Sequence, residues 1–289
     1  MALLVRAESD TWRIHDLVGG VTVVEGDLCN LAPVRGRIRE FAPTTVLHCG
    51  WIGSHRRDRN DARQAATSLR GSLDLLDVAI EAGCSVFVGA GSQAELGPTH
   101  DTITGTSPAN PDTAYGAAKL SFNMVGSRVA SAAGMRFVWL RLLTVFGSAD
   151  SPEYLIPHVT LELCAQRRPA LTFGTQRRDF LHASDAAAAF VLASATDACR
   201  GTYVVASGLS PTVREVTEKI RDLIDPHAEL GFGELAGAAD AQASLLGDPA
   251  DFMACTGWRP RVSIDEGLRE SVDWYRQHYH RYLEGTARW

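Results

Sequence analysis

Lysine is nearly missing from this chain. Of 28 basic residues only Lys119 and Lys219 are lysines, and the rest are arginines. A position that keeps lysine against such a habit is worth a chemical explanation. An excess of basic charge is missing too. The formal net charge is −6, and a nucleic-acid partner would ask for a basic face. The cluster Arg56, Arg57, Arg59 is broken by Asp58 and Asp61 and reads as a solvated loop. No two of the six cysteines (Cys29, Cys49, Cys84, Cys164, Cys199, Cys255) form a CxxC pair. That excludes the usual zinc spacing, so no metal site is expected. The cysteines read as small apolar fillers in a reducing compartment. Apolar runs fall far short of a membrane span, and residues 1 to 30 lack the pattern of a signal peptide. A cytoplasmic protein without membrane or nucleic-acid partners is the expectation.

What is present is enough apolar sequence, 45% of 289 residues, for one domain or a domain plus a lobe. Short β-branched runs alternate with longer helical stretches. Strands are expected at Val21–Val24, Thr44–His48, Ser85–Val88 and Phe137–Leu142. Helices are expected at Asp61–Ala82, Ala114–Ala133, Asp185–Ala195, Thr212–Ile224 and Ile264–Tyr282. The first of these helices carries Leu69, Leu73, Leu76 and Ile80 near a 3.6-residue period. Strands separated by crossover helices imply an α/β fold with a doubly wound parallel sheet. Ligands of such sheets sit outside the carboxyl ends of the strands. Residues 1–150 read as the sheet domain, with 176–206 returning to it. The less regular 151–289, richer in glycine and proline between Gly231 and Pro249, reads mainly as a smaller C-terminal lobe for substrate.

One constellation carries chemistry. Ser92 follows the strand Ser85–Val88 through Gly89-Ala90-Gly91, which reads as a flexible approach to it. Tyr115 and Lys119 stand four apart at the start of a helix and share a face. An ammonium beside a phenol favours the phenolate, and a phenol so tuned can exchange a proton with a carbinol oxygen. A serine hydroxyl can hold that oxygen while hydride moves to or from a nicotinamide. Spacing alone would suit a helix-surface tyrosine and a solvated lysine. The scarcity of lysine and the placement of Ser92 reverse that reading.

With these residues the chain resembles the extended short-chain dehydrogenase/reductase family, in its branch of sugar-nucleotide epimerases and dehydratases. The likeness runs nearly end to end. Gly26-Asp27-Leu28 resembles the family's adenine-contacting turn. His48-Cys49-Gly50-Trp51 stands for its His-x-Ala-Ala strand end, with His48 itself read as a satisfied core histidine. Ser68-Leu69-Arg70-Gly71-Ser72 resembles Asn-x-x-Gly-Thr, with Ser68 in place of asparagine. Arg141 to Gly147 resembles Arg-x-x-Asn-x-Tyr-Gly, with Thr144 and Phe146 as departures. Arg178 to Asp185 resembles Arg-Asp-Phe-x-His-Val-x-Asp, and Gly257-Trp258-Arg259-Pro260 a late Gly-Trp-x-Pro signature. The resemblance implies catalytic roles for Ser92, Tyr115 and Lys119. It implies cofactor contacts at Arg6, Asp27, Leu28, Cys49, Gly50, Trp51, Ser68, Tyr115, Lys119 and Leu142. Substrate contacts are implied at Ser92, Gln93, Thr144 and Arg178, with Arg178 suited to a diphosphate. Asp27 as a simple turn cap and Arg178–Asp179 as an internal ion pair are the plainer alternatives.

The family opens with a strand, a G-x-x-G-x-x-G loop and a helix that hold the pyrophosphate. Ala2-Leu3-Leu4-Val5-Arg6 already resembles the second strand, so that unit is expected to be absent from this sequence. Gly50-Trp51-Ile52-Gly53 imitates the loop but is followed by Arg56 to Asp61, which lack an apolar helical face. Arg6, just past its strand, favours the 2′-phosphate of NADP over NAD. Family dehydratases follow the hydroxyl residue with an acidic pair or a nearby glutamate. Here Gln93-Ala94 follow Ser92 and Glu95 comes one position late, which disfavours 4,6-dehydration. Ketoreduction at C4 of a nucleotide-activated sugar is the leading expectation, with NAD-dependent 4-epimerisation as the alternative. A non-catalytic binding or regulatory module is the rival of another class. No second diphosphate arginine is evident between Gly231 and Asp248. The helices starting at Asp61 and Ala114 resemble a dimer-forming pair, so a homodimer is expected.

Overall fold

The computed structural model describes residues 1–53, 55–235 and 244–283. Two compact units share the chain. The first comprises Met1–Gly97, Gly105–Arg141 and Phe190–Tyr203, and the second Pro98–Thr104, Leu142–Ala189 and Val204–Trp289.

The first unit is built on parallel strands, as the alternation of runs and helices requires. Ala2–Val5 pairs in parallel with Thr22–Glu25. A four-stranded sheet has the order Gly201–Val205, Arg136–Leu142, Val86–Ser92, Thr45–His48. In it Val46 faces Phe87 and His48 faces Gly89 in parallel register. The strand predicted to stop at Val88 runs on to Ser92. Gly89-Ala90-Gly91 is therefore ordered strand and not a flexible approach. The glycines are there for Trp139, which crosses beneath them: a Cβ on Gly89 would lie 2.4 Å from its ring, and one on Gly91 2.5 Å from its Nε1.

Helix Ala114–Ala132 starts one residue after its cap, Thr113, whose hydroxyl accepts from Gly116 N. That hydroxyl satisfies one of the amides a helix start leaves open. Phe122 of this helix meets Phe87, Phe137 and Trp139 at centroid distances of 5.5–6.1 Å. With Leu76 they form the core beneath the sheet. The helix expected from Asp61 begins instead as a π-helical turn, Gln64–Leu69, and becomes regular only over Arg70–Glu81. Asp61 forms a tight turn that binds Arg63 N and guanidinium, which explains the late start.

The second unit packs helices Leu155–Cys164, Val213–Ile224 and Ile264–Gln277 around Phe146, Val159, Phe180, Ile220 and Leu268. Helix Val213–Ile224 has a full capping box between Thr212 and Glu215, and Ile264–Gln277 one between Ser263 and Glu266. The predicted last helix breaks at His278, whose ring stacks on Trp274 at 4.1 Å, and resumes at Tyr279. No described helix is long and apolar enough to cross a membrane. The cysteines are free thiols. Cys84 and Cys199 are buried fillers, whereas Cys29 and Cys49 are exposed, against the expectation for all six.

Candidate active site

The candidate residues of the first unit gather at strand ends, where a parallel sheet leaves its carboxyl-terminal amides and loops open to a ligand. Arg6 follows Ala2–Val5, Asp27 follows Thr22–Glu25, and Cys49-Gly50-Trp51 follows Thr45–His48. Ser92 ends Val86–Ser92.

Ser92 is held in place by a residue that spacing alone did not single out. Glu95 is completely buried. Its carboxylate accepts from Ser92 N at 2.8 Å, Trp139 Nε1 at 2.8 Å and Arg141 Nε at 3.1 Å. The Ser92 hydroxyl accepts in turn from Ala94 N, closing a capping box. The Ser-x-x-Glu pattern was legible in the sequence as such a box. Trp139 and Arg141 as its partners were not. A buried carboxylate would be costly alone, and the Arg141 guanidinium with two further donors compensates it. Both carboxylate oxygens are thus engaged inside the protein.

Tyr115 and Lys119 are both buried, at 9% and 3% exposure. Lys119 Nζ donates to Ala90 O at 2.7 Å and lies over the Trp51 ring, 4.0 Å from its centroid. Burial lowers its pKa from the usual range to about 7, against the pull of Glu95 and Cys49. Lys119 therefore exchanges its proton near neutral pH, a property suited to a proton relay. His48 is buried, bonded through Nε2 to the Ser72 hydroxyl at 2.8 Å, and packed on Phe87 and Phe122. Burial, then the Lys119 charge, pushes its pKa down to about 3, so it is a neutral core histidine.

Asp27 accepts from Cys29 N at 2.8 Å, and this bond holds its carboxyl below the ordinary range. The turn-cap reading describes that geometry. Leu28 lies against helix Arg70–Glu81 so closely that a Cβ on Gly71 would sit 2.4 Å from Leu28 O. Only glycine admits this approach. Ser68 is fully buried and accepts from Ile52 N at 3.2 Å, tying the loop after Trp51 to the π-helical turn. Arg6 is half exposed, 3.8 Å from Glu8. Gln93 opens the short turn after Ser92 and is half-buried.

Leu142, Thr144 and Arg178 belong to the second unit. Thr144 begins a short strand paired in parallel with Phe180–His182. Arg178 lies on a two-residue strand beside Ser244–Leu245, and its guanidinium donates to Arg177 O. Asp179 is buried and takes its donors from Ser207 N and Oγ, Gly208 N and Gly247 N at 2.7–3.2 Å. Asp185 likewise accepts from Arg261 N and Val262 N, and Trp258 Nε1 donates to its backbone oxygen. The late Gly-Trp-Arg-Pro segment is thus a structural clasp. A cavity of about 650 Å³ also lies in this unit, bordered by Leu163, Arg168, Asp225, Arg276 and Tyr279, and none of the candidate residues lines it. Residues 236–243 of the stretch searched for a second diphosphate arginine lie outside the described residues.

The first unit thus joins parallel strands to a buried tyrosine–lysine pair and a serine at a strand end. The chain belongs to the NAD dependent epimerase/dehydratase family, whose model matches residues 3–206. It is 27% identical over 260 residues to a dTDP-glucose 4,6-dehydratase of Actinoplanes sp., covering 88% of this chain and 79% of that one. It is 23% identical over 279 residues to a UDP-glucuronate 4-epimerase of Thermodesulfobacterium geofontis, covering 92% and 83%. Among solved structures it is similar to the UDP-glucose 4-epimerase of Thermus thermophilus in complex with NAD. The TM-score is 0.83 at 25% identity, over 95% of this chain and 90% of that one.

Proposed function

We propose that this protein is an NAD(P)-dependent enzyme that reduces the 4-keto group of a nucleotide-activated sugar. The observation that carries the reading is Lys119: a buried ammonium, one helical turn from Tyr115 and bonded to the strand that ends in Ser92.

The residues fit the nicotinamide cofactor at two of its parts. Lys119 and Tyr115 offer donors for the ribose and nicotinamide end, and Asp27 and Arg6 offer polar groups for the adenosine end. Among the described residues no glycine-rich turn offers a row of amides to the diphosphate, and Ile52 N is already bonded to Ser68. When bound, the cofactor supplies or takes a hydride. Ser92 holds the carbonyl oxygen, and Tyr115 delivers its proton with Lys119 stabilising the phenolate. Gln93 meets the sugar, while Leu28, Cys49, Gly50 and Ser68 border the cofactor; for Arg178, Thr144 and Leu142, on the second unit, the family resemblance alone suggests ligand contacts. Arg6 favours NADP by its position at a strand end.

Dehydration finds no support in the site, because Glu95 faces inward with both oxygens engaged. The likeness to 4-epimerases supports NAD-dependent 4-epimerisation as the second reading, since it needs the same relay. The test is calorimetric titration with NADPH and NADH, then turnover of 4-keto and 4-hydroxy nucleotide sugars. Tyr115→Phe is expected to lower turnover by about 10²–10⁴-fold while leaving cofactor affinity within about threefold. A chain that binds neither cofactor would overturn the reading in favour of a binding module.

A further inference from the structure

Lys119 has three N–H donors and, among the described residues, one oxygen acceptor, Ala90 O. Its nearest carboxylate, Glu95, is committed to Ser92, Trp139 and Arg141. The rest of the ammonium faces aromatic rings: Trp51 at 4.0 Å, Trp139 at 5.7 Å and Tyr115 at 5.9 Å from Nζ to the centroids. A ring face stabilises a cation most when water is excluded.

Trp51 is itself held. Its Nε1 donates to Gln64 Oε1 at 2.8 Å. Gln64 is 2% exposed and uses its Nε2 on Gly53 O and Asp58 O, at 2.8 and 3.1 Å. The same loop is bonded to the start of the helix that carries the lysine, where Tyr115 N donates to Arg59 O and Ala114 N to Asn60 Oδ1. The indole stands edge-on to Tyr115 at 87°. A buried amide that fixes one indole from below, while that indole covers one ammonium, goes beyond what packing needs. Any apolar side chain would fill the space.

We infer that Trp51 is a positioning residue for Lys119: its indole face, locked by Gln64, holds the ammonium against Ala90 O and keeps it charged. This rests on the proposed relay only for its effect on turnover. The titratable groups facing Lys119 are Glu95 on the turn after the strand, His48 and Cys49 at the neighbouring strand end, and Tyr115 one turn earlier. Of the three rings around the ammonium, that of Trp51 is the nearest.

The near absence of lysine makes the test clean. Protein grown with lysine ¹³C-labelled at the ε-carbon gives two signals, and Lys219, exposed and paired with Asp265 at 2.6 Å, is the internal control. The Lys119 ε-protons are expected well upfield of those of Lys219, because they sit over an indole. In Trp51→Leu, which keeps an apolar cover but has no ring, that displacement should vanish. The titration midpoint should fall by roughly one pH unit. Trp51→Phe should restore part of both, and Gln64→Leu should weaken both with the indole still present. If Trp51→Leu does not fold, the Phe and Gln64 variants carry the same comparison. Unchanged shift and midpoint in the variants would overturn the inference. The pH profile of turnover should move with the midpoint. A protein with no turnover but the expected lysine signals would refute the proposed reaction and leave the role of Trp51 standing.

Discussion

Lys119 shows how far one residue can be taken by its surroundings. Its ordinary pKa of 10.5 falls to about 7 because burial disfavours the ammonium. Between those two values the unfolded chain binds a proton that the folded chain has released. Stability therefore rises with pH from about 7 to 10.5, and below 7 the full cost of the buried charge is present. Lys119→Met should flatten that rise and make the fold more stable at pH 6 by about 3 kcal/mol. Urea denaturation of both proteins at pH 6, 8 and 9.5 checks this, and equal slopes against pH would refute it. At this scale the sequence was half legible. The scarcity of lysine and the Tyr115–Lys119 spacing marked the position. The burial did not show, because it depends on Trp51, Ala90 and Trp139, which lie on other elements of the chain and are brought to Lys119 by no local rule.

Among the elements, strand Val86–Ser92 explains the most. Its glycines read as looseness in the sequence, since glycine frees a chain wherever nothing else constrains it. In the fold they are clearance for the fully buried Trp139. Gly89→Ala would place a methyl group 2.4 Å from the ring. The strand and the indole cannot both stay, and the expected loss of stability is about 3 kcal/mol. A thermal melt unchanged by this substitution would show that Trp139 can move aside. The helix at Ala114 was legible to within a residue because its cap, Thr113, is local. The helix placed at Asp61 was not, because the Asp61 turn competes with helix formation for the same amides and Gln64 is drawn inward by Trp51 and the Gly53 loop.

For the molecule as a whole, the exposed side of helix Ala114–Ala132 is the feature left open. Met124, Val125 and Val129 are 62%, 46% and 42% exposed, on a helix whose other face carries Phe122 into the core. Large apolar groups gathered on one helix face mark a surface for association. The expected partner is a second copy of the chain. Val125→Glu should shift the protein towards monomer in analytical ultracentrifugation, with an unchanged far-ultraviolet spectrum. A parent protein already monomeric at micromolar concentration would refute the dimer.

Composition and periodicity were enough, by themselves, to give this protein's α/β class and its parallel strands, while the resemblance of its motifs supplied the family and the candidate residues. These properties are local: a repeat of 3.6 or a four-residue spacing acts through neighbours along the chain. Only the tertiary structure decided which carboxylate stays inside with Ser92, that Asp179 binds the backbone amides of Ser207, Gly208 and Gly247, and that Lys119 lies under an indole. Those outcomes depend on which groups exclude water from one another, and the groups that do so meet only when distant segments fold together.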